Sequence, residues 1–188
     1  TEAMAIASLL ARIGTSDPVT PSADLQTVID GFDISRFGRA TAKFDPAELV
    51  QVNARVLQEL PYDRVADRLA SVGVGGGEEF WLAVRDNLIN VNEAAEWWQI
   101  CTAPITPVIV DAAVVNAAAE MLPAGDISAD IWTTWTKATA EASGAKGRGL
   151  FMPLRLALTG REKGPEIAPL LGFMGRERII ARLKGEVA

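Results

Sequence analysis

Apolar residues recur at intervals of three and four along almost the whole chain, and proline and glycine separate one run from the next. This spacing puts the apolar side chains on one face of a helix, and no segment shows the two-residue alternation between hairpin turns that is typical of a strand. The sequence therefore predicts an all-α fold. The expected helices cover residues 2–13, 24–30, 46–59, 62–72, 78–89, 92–101, 108–122, 128–142, 148–158 and 176–184, with a shorter turn at 167–171.

Breaks in this pattern predict three serial helical subdomains, at about 1–57, 58–107 and 108–188. Each is too small to bury its apolar faces well alone, so we expect the subdomains to pack in series. One helix start can be placed from its capping residues. Asp45 supplies a hydrogen-bond acceptor before the helix, Pro46 takes the first helical position, and Glu48 adds a carboxylate three residues after Asp45. That combination is typical of a capped helix N-terminus.

Histidine is absent from the 188 residues, and Cys101 is the single cysteine. The chain therefore lacks Ser-His and Cys-His nucleophile pairs and the commonest transition-metal ligand. We predict no catalytic residue and no metal site, and interpret the remaining clustered carboxylates as solvated. The carboxylates in question are Glu78, Glu79, Glu93 and Glu96.

The sequence also bears on the compartment. No apolar run is long enough to cross a bilayer, and one cysteine fits a reducing environment, so we expect a cytoplasmic protein without membrane contact. The chain opens on a helical pattern with no initiator methionine. We therefore expect a piece of a longer protein.

Positive charge concentrates in the last fifty residues. Residues 137–188 hold ten Lys or Arg and five Asp or Glu, whereas residues 1–136 hold eight and nineteen. An acidic chain with one basic end is expected to present that end to a polyanion. Possible phosphate contacts within it are Arg161, Lys163, Arg176 and Arg178. For the last helix, which also carries Arg182 and Lys184, a solvated basic face is the favoured alternative.

Arg155 is the strongest candidate for a specific contact. It follows Pro153 near the start of a predicted helix, and its planar guanidinium can donate two parallel hydrogen bonds or stack on a ring. A surface arginine lying over Leu154 and Leu158 would give the same pattern. The loop after this helix, residues 159–166, has glycines that would let a ligand approach the backbone. It lacks the spacing of a phosphate-binding loop. The same residues are equally compatible with an ordinary interhelical turn.

Arg85 is the only basic residue between Arg68 and Lys137. It is either paired with a carboxylate such as Glu78, Glu79 or Asp86, or reserved for a binding partner. The five tryptophans occur at helical spacing beside aliphatic residues, so we interpret them as core anchors.

Several segments together resemble bacterial glutamyl-tRNA synthetases. The carboxy-terminal end of that family resembles GLFMPLRLALTG at 149–160, GPEIAPLL at 164–171 and GRERIIARL at 175–183. Further resemblance is found at residues 8–17, 32–37, 42–49 and 53–55, so it covers essentially the whole chain. The ordered succession of these segments is more specific than any one of them.

This resemblance implies the tail of a stem-contact region at 1–57, followed by anticodon-binding subdomains at 58–107 and 108–188. It implies tRNA(Glu) as the partner, neither DNA nor a membrane, and a monomeric parent enzyme that joins glutamate to its tRNA. ATP and magnesium would act in the parent's Rossmann domain. This chain lacks the His-Ile-Gly-His and Lys-x-Ser-Lys elements, so the resemblance implies no cofactor in it and no aminoacylation by it alone.

The resemblance also implies site residues. The family holds anticodon bases with the Arg of Pro-Leu-Arg and with the loop that follows, which correspond here to Arg155, Gly164, Pro165, Glu166 and Ile167. Arg85 is the candidate for the arginine that reads the third anticodon base, and Asn87 is its alternative. The competing interpretation of the whole chain is a helical protein-interaction module with a solvated basic tail.

Overall fold

The structure is a computed structural model that describes all residues from Thr1 to Ala188. It contains eleven α-helices and no strand, which confirms the predicted all-α class. The helices are α1 Ala3–Leu10, α2 Leu25–Asp30, α3 Pro46–Glu59, α4 Ala66–Ser71, α5 Gly77–Val84, α6 Glu93–Thr102, α7 Ala112–Glu120, α8 Ile131–Ser143, α9 Arg148–Thr159, α10 Leu171–Met174 and α11 Arg176–Leu183. Short 3-10 helices occupy Ile34–Arg36, Tyr62–Arg64, Arg85–Asn87 and Ala168–Leu170. None of the helices has the length and apolar character needed to span a bilayer.

Local capping explains where the helices begin. Helix α3 starts as predicted, with Asp45 Oδ1 accepting a hydrogen bond from the Ala47 amide at 2.8 Å. Helix α7 starts four residues later than its pattern predicted, because Asp111 accepts from the amides of Ala113 and Val114 at 3.0 and 3.2 Å. An Asp side chain at this position satisfies amides that have no partner within the helix.

The chain divides into two compact units, residues 1–95 and 96–188. In the first unit α1 packs on α3, and the 3-10 helix at Arg85–Asn87 packs on α3 and α5. Asn53 of α3 is buried; its side chain accepts from the Glu2 amide and donates to the Ile89 carbonyl, both at 2.6 Å. One amide side chain thus connects three segments of this unit. The division into three subdomains stays a prediction.

In the second unit, α7 packs on α8 and α9, and α11 packs on α7 and α9. Trp135 is fully buried and donates from Nε1 to the Ala118 carbonyl at 2.8 Å. Trp81 is its counterpart in the first unit, fully buried and bonded to the Leu60 carbonyl at 2.9 Å. These two tryptophans are core anchors as predicted. The other three, Trp97, Trp98 and Trp132, are only half-buried, so the interpretation of every tryptophan as a core residue was wrong.

Arg182 of α11 lies fully inside the second unit. Its guanidinium donates to the carbonyls of Leu158, Ala103 and Ala188 at 2.7, 2.9 and 2.8 Å. Burial, together with repulsion from Arg178, lowers the pKa of Arg182 to about 10, so the group is still a cation at neutral pH. A solvated basic face was therefore the wrong interpretation for this residue, since each of its three side-chain nitrogens donates a hydrogen bond inside the fold.

Replacing Arg182 by Met should destabilise the protein severely. The apolar side chain cannot donate, so the buried Leu158 carbonyl and the part-buried Ala103 carbonyl would lose their Arg182 bonds, whereas the Ala188 carbonyl keeps its bond from the Ile105 amide. A buried carbonyl without a partner costs about 1–3 kcal/mol, so the free energy of unfolding should fall by about 2 kcal/mol or more. Urea unfolding followed by circular dichroism measures the change. The matched control is Lys184→Met on exposed Lys184, which should stay within about 0.5 kcal/mol of the parent. Unchanged stability of Arg182→Met would contradict this account.

Cys101 should be unreactive in the folded protein. It is fully buried, and burial raises the pKa of its thiol to about 12, outweighing the nearby charges of Arg182 and Arg178, which lower it. Because the folded-state pKa is above the ordinary value, the thiol stabilises the fold below about pH 9, and this contribution is lost as the pH rises toward about 12. At pH 8 a thiol reagent should label the native protein slowly and the urea-unfolded protein fast. Equal labelling rates would show that the thiol is accessible.

Candidate nucleic-acid interface

Helix α9 carries Arg155 among buried residues. Leu154 and Leu158 are fully buried, whereas Arg155 is half-buried. Its Nη2 donates to the Pro165 carbonyl at 2.9 Å, while its Nη1 is buried without any hydrogen-bond partner. Burial lowers the pKa of Arg155, and the nearby charge of Glu166 acts in the opposite direction. The guanidinium is thus oriented by one bond and retains unused donor capacity.

The loop that follows α9 folds back toward Arg155. Gly160 ends the helix in a left-handed conformation with φ 66°, and the Arg161 amide donates to Thr159 Oγ1 at 3.1 Å. Pro165 and Ile167 are buried, whereas Glu166 between them is exposed. This alternation fixes the loop backbone while the carboxylate remains accessible.

Gly164 occupies a position that only glycine fits. Its φ is 143°, and a Cβ added there would lie 2.1 Å from Cη2 of Trp97. The sequence suggested that glycines in this loop allow a ligand to approach the backbone. In the structure the space beside Gly164 is filled by the indole of α6.

A pocket of about 240 Å³ lies between α8, α9 and this loop, lined by Trp132, Phe151, Arg155, Glu166 and Ile167. The rings of Trp132 and Phe151 have centroids 6.2 Å apart and planes inclined by 36°. The pocket therefore combines aromatic surface with a cation and a carboxylate. Such a site suits a flat heterocycle that offers both hydrogen-bond donors and acceptors.

The structure brings three of the predicted base-binding residues, Arg155, Glu166 and Ile167, into one pocket, and Pro165 orients one of them. Sequence reasoning missed the two aromatic residues. Phe151 is four residues before Arg155 and 45% exposed, so an i, i+4 pair on one helix face was the available signal. Trp132 comes from another helix, and no local pattern connects it with Arg155.

The four possible phosphate contacts fall into two groups. Arg161 and Lys163 are exposed on the loop; Arg161 is ion-paired with Glu96, whereas Lys163 makes no ion pair. Arg176 donates to the carbonyls of Gly125, at 2.7 and 3.1 Å, and of Pro123.

Arg178 donates to the carbonyls of Met174, Cys101 and Thr102 at 2.6, 3.2 and 3.0 Å. The two helical arginines, Arg176 and Arg178, thus direct most of their donors to the protein's own backbone. Binding of phosphate by any of the four residues stays a prediction.

Arg85 belongs to the first unit. Its Nη1 donates to the Leu60 carbonyl at 3.1 Å, and its Nε lies 3.7 Å from Asp86 Oδ1, with 25% of the side chain exposed. Of the carboxylates considered from the sequence, Asp86 is thus the partner. Asn87 is exposed beside it. Base reading by Arg85 or Asn87 stays a prediction.

No group of three Cys, Asp or Glu side chains lies close enough to hold a metal ion.

Comparison with known proteins first gives the class of domain. Residues 109–186 match the family model described as an anticodon binding domain. That range contains the whole pocket, from Trp132 to Ile167.

The relatives then give the family. The chain is 49% identical to glutamate–tRNA ligase 1 of Maricaulis maris, covering 100% of this chain and 42% of that protein. It is 45% identical to glutamate–tRNA ligase 1 of a Wolbachia species, subspecies Brugia malayi, covering 97% of this chain and 41% of that protein. Over essentially its whole length the chain is similar to glutamate–tRNA ligases, which confirms the resemblance recognised in the sequence. It spans about two fifths of the length of the relatives it matches.

A solved structure agrees in fold. The crystal structure of a glutamate tRNA ligase from Elizabethkingia meningosepticum superposes with a TM-score of 0.73 over 96% of this chain and 40% of that chain. The sequences are 23% identical, so this similarity supports the fold alone.

Proposed function

We propose that this chain recognises the anticodon of tRNA(Glu) on behalf of a glutamate–tRNA ligase, whose ATP- and magnesium-dependent glutamylation takes place outside these residues. The observation that carries the proposal is the pocket beside Arg155. There Arg155, which has one guanidinium nitrogen without a partner, lines the same pocket as Trp132 and Phe151, within residues that match an anticodon binding domain. We also propose that the parent ligase is a monomer and that it acts in the cytoplasm.

The pocket chemistry suits one unstacked base. A base inserted beside Trp132 and Phe151 would stack on an aromatic surface, a contact that every base can make. Its edge would accept a hydrogen bond from the Arg155 guanidinium, and Glu166 would accept from a donor on the same edge. Stacking would supply affinity and the paired hydrogen bonds would supply selectivity.

The Pro165 carbonyl supports this selectivity indirectly. Its bond to Arg155 Nη2 at 2.9 Å holds the guanidinium plane in place before any RNA arrives. A donor that is already oriented loses less conformational entropy on binding than a free arginine does. Gly164 and Ile167 belong to the same proposed site as parts of the loop that carries Pro165 and Glu166.

The phosphate backbone would be bound by other residues. Lys163 is the best placed of the predicted contacts, because it is exposed and free of ion pairs, and Arg161 lies on the same loop. Arg176 and Arg178 would bind phosphate with those of their N–H groups that do not donate to backbone carbonyls. Arg85, with Asn87 as the alternative, is proposed as the reader of the third anticodon base.

Arg155→Ala should weaken binding of tRNA(Glu) by about 1–3 kcal/mol, since it removes a hydrogen bond to a base edge. It should also reduce the preference for tRNA(Glu) over the same tRNA with another base at the anticodon position that the pocket binds. Titration of labelled tRNA measures both. The control is Arg148→Ala, an exposed arginine in the first turn of the same helix, which should keep the preference. Unchanged affinity of Arg155→Ala for tRNA(Glu) would count against the proposal, and a chain that bound no tRNA at low salt would favour the protein-interaction alternative.

Lys163→Gln should act on salt dependence and leave specificity intact. Losing one phosphate contact should reduce the slope of log affinity against log salt concentration by about 0.7–1, while the ratio between glutamate and glutamine anticodons stays the same. Lys184→Gln, also exposed but on α11, is the matched control. A slope that does not change in Lys163→Gln would remove Lys163 from the interface.

A further inference from the structure

We propose that Trp97 of α6 is a positioning residue for base recognition: without touching the RNA, its indole sets the position of the loop that orients Arg155 and carries Glu166. The inference rests on the proposed function, since the loop position affects specificity only if the pocket reads a base. It assigns a role to a tryptophan that is only half-buried and is therefore not explained as a core residue.

The packing between Trp97 and the loop leaves no free space. A Cβ on Gly164 would lie 2.1 Å from Cη2 and 2.2 Å from Cζ2 of Trp97, far inside any van der Waals contact. The outer edge of the indole therefore rests directly on the loop backbone. A smaller side chain at position 97 would leave a gap that the loop could enter.

A shift at Gly164 reaches the pocket within two residues. The next residue, Pro165, supplies the carbonyl that orients Arg155 at 2.9 Å. The one after it, Glu166, lines the pocket. Movement of the loop would therefore displace Glu166 and change the orientation of Arg155, the two residues that are proposed to bind the base edge. Their hydrogen bonds to the base would weaken, because hydrogen-bond strength falls steeply as distance and angle change.

The helix that carries Trp97 is held at its C-terminal end. Cys101 and Thr102, at the end of α6, have carbonyls that accept from Arg178 at 3.2 and 3.0 Å. Carbonyls at a helix C-terminus have no partner within the helix, and a cation there also interacts favourably with the helix dipole. Trp97 lies about one turn before these bonded carbonyls.

The same arrangement connects α6 with α9. Arg182 donates to the Ala103 carbonyl just after α6 and to the Leu158 carbonyl in the last turn of α9. The helix that carries Trp97 and the helix that carries Arg155 are thus fixed to one side chain. The ion pair between Glu96 and Arg161 adds a second point of attachment between α6 and the loop.

The neighbouring tryptophan provides a matched control. Trp98 is also half-buried and on the same helix, but its ring packs against Phe173, with centroids 5.9 Å apart and planes at 64°. Trp98→Leu removes the same aromatic volume as Trp97→Leu at a place that packs on Phe173.

The experiment uses the anticodon position at which Arg155→Ala relaxes base preference. At that position Trp97→Leu should reduce the preference for the cognate base by about tenfold and leave the salt dependence of tRNA binding unchanged. Trp98→Leu should keep the preference, whatever it does to thermal stability. A full preference in Trp97→Leu would overturn the inference.

A double-mutant cycle tests the contact itself. Gly164→Ala should weaken tRNA binding through both the clash with Trp97 and the strain of Ala at positive φ, and only the strain remains in the Trp97→Leu background. The loss of affinity caused by Gly164→Ala should therefore be several-fold smaller in that background. Equal losses in the two backgrounds would overturn the inference, and if Gly164→Ala alone does not fold, the comparison of Trp97→Leu with Trp98→Leu still decides.

The two proposals fail in distinguishable ways. If Arg155→Ala changes neither affinity nor preference, the proposed function and this inference both fall. If Arg155→Ala relaxes the preference and Trp97→Leu does not, anticodon reading stands and the positioning role of Trp97 falls.

Discussion

Two arginines of α11 hold the second unit together by donating to carbonyl groups at the ends of other helices. Arg182 bonds Leu158, Ala103 and Ala188, and Arg178 bonds Cys101 and Thr102. A helix end inside a protein must find partners for its last carbonyls, and a guanidinium with five donors can serve several at once. The positions of α6 and α9, and with them the geometry of the pocket, depend on these bonds.

Basic residues consequently have two different uses in this unit. Lys163 is exposed and makes no ion pair, whereas Arg182 is sealed inside and Arg176 and Arg178 spend most of their donors on the backbone. The excess of positive charge over residues 137–188 therefore overstates the cations available to a polyanion. Counting charge along the sequence identifies the end of the chain that is proposed to bind RNA. It does not identify which basic residues of that end are free to bind phosphate.

A feature could be predicted from the sequence when it depends on residues that are close together in the chain. Helices with strong periodicity and a cap, such as Pro46–Glu59, were predicted at the residues where the structure has them. Arg155 and the loop at Gly164–Ile167 were found through the family resemblance. Trp132 and Trp97 could not be found in either way, because their importance comes from α8 and α6 meeting the loop in three dimensions. Burial of Arg182 was missed for a related reason: a cation on a helix is expected in solvent unless carbonyls from distant segments surround it.

The contact between Gly164 and Trp97 also constrains how these positions can change over evolutionary time. A side chain at 164 is excluded while an indole stands at 97, so the first permissible step is a smaller residue at 97, taken before any change of the glycine. The order of substitutions is thereby fixed by sterics. Two residues far apart in the chain therefore constrain each other, and a variant with a smaller residue at 97 and the glycine still in place would have a less tightly packed loop.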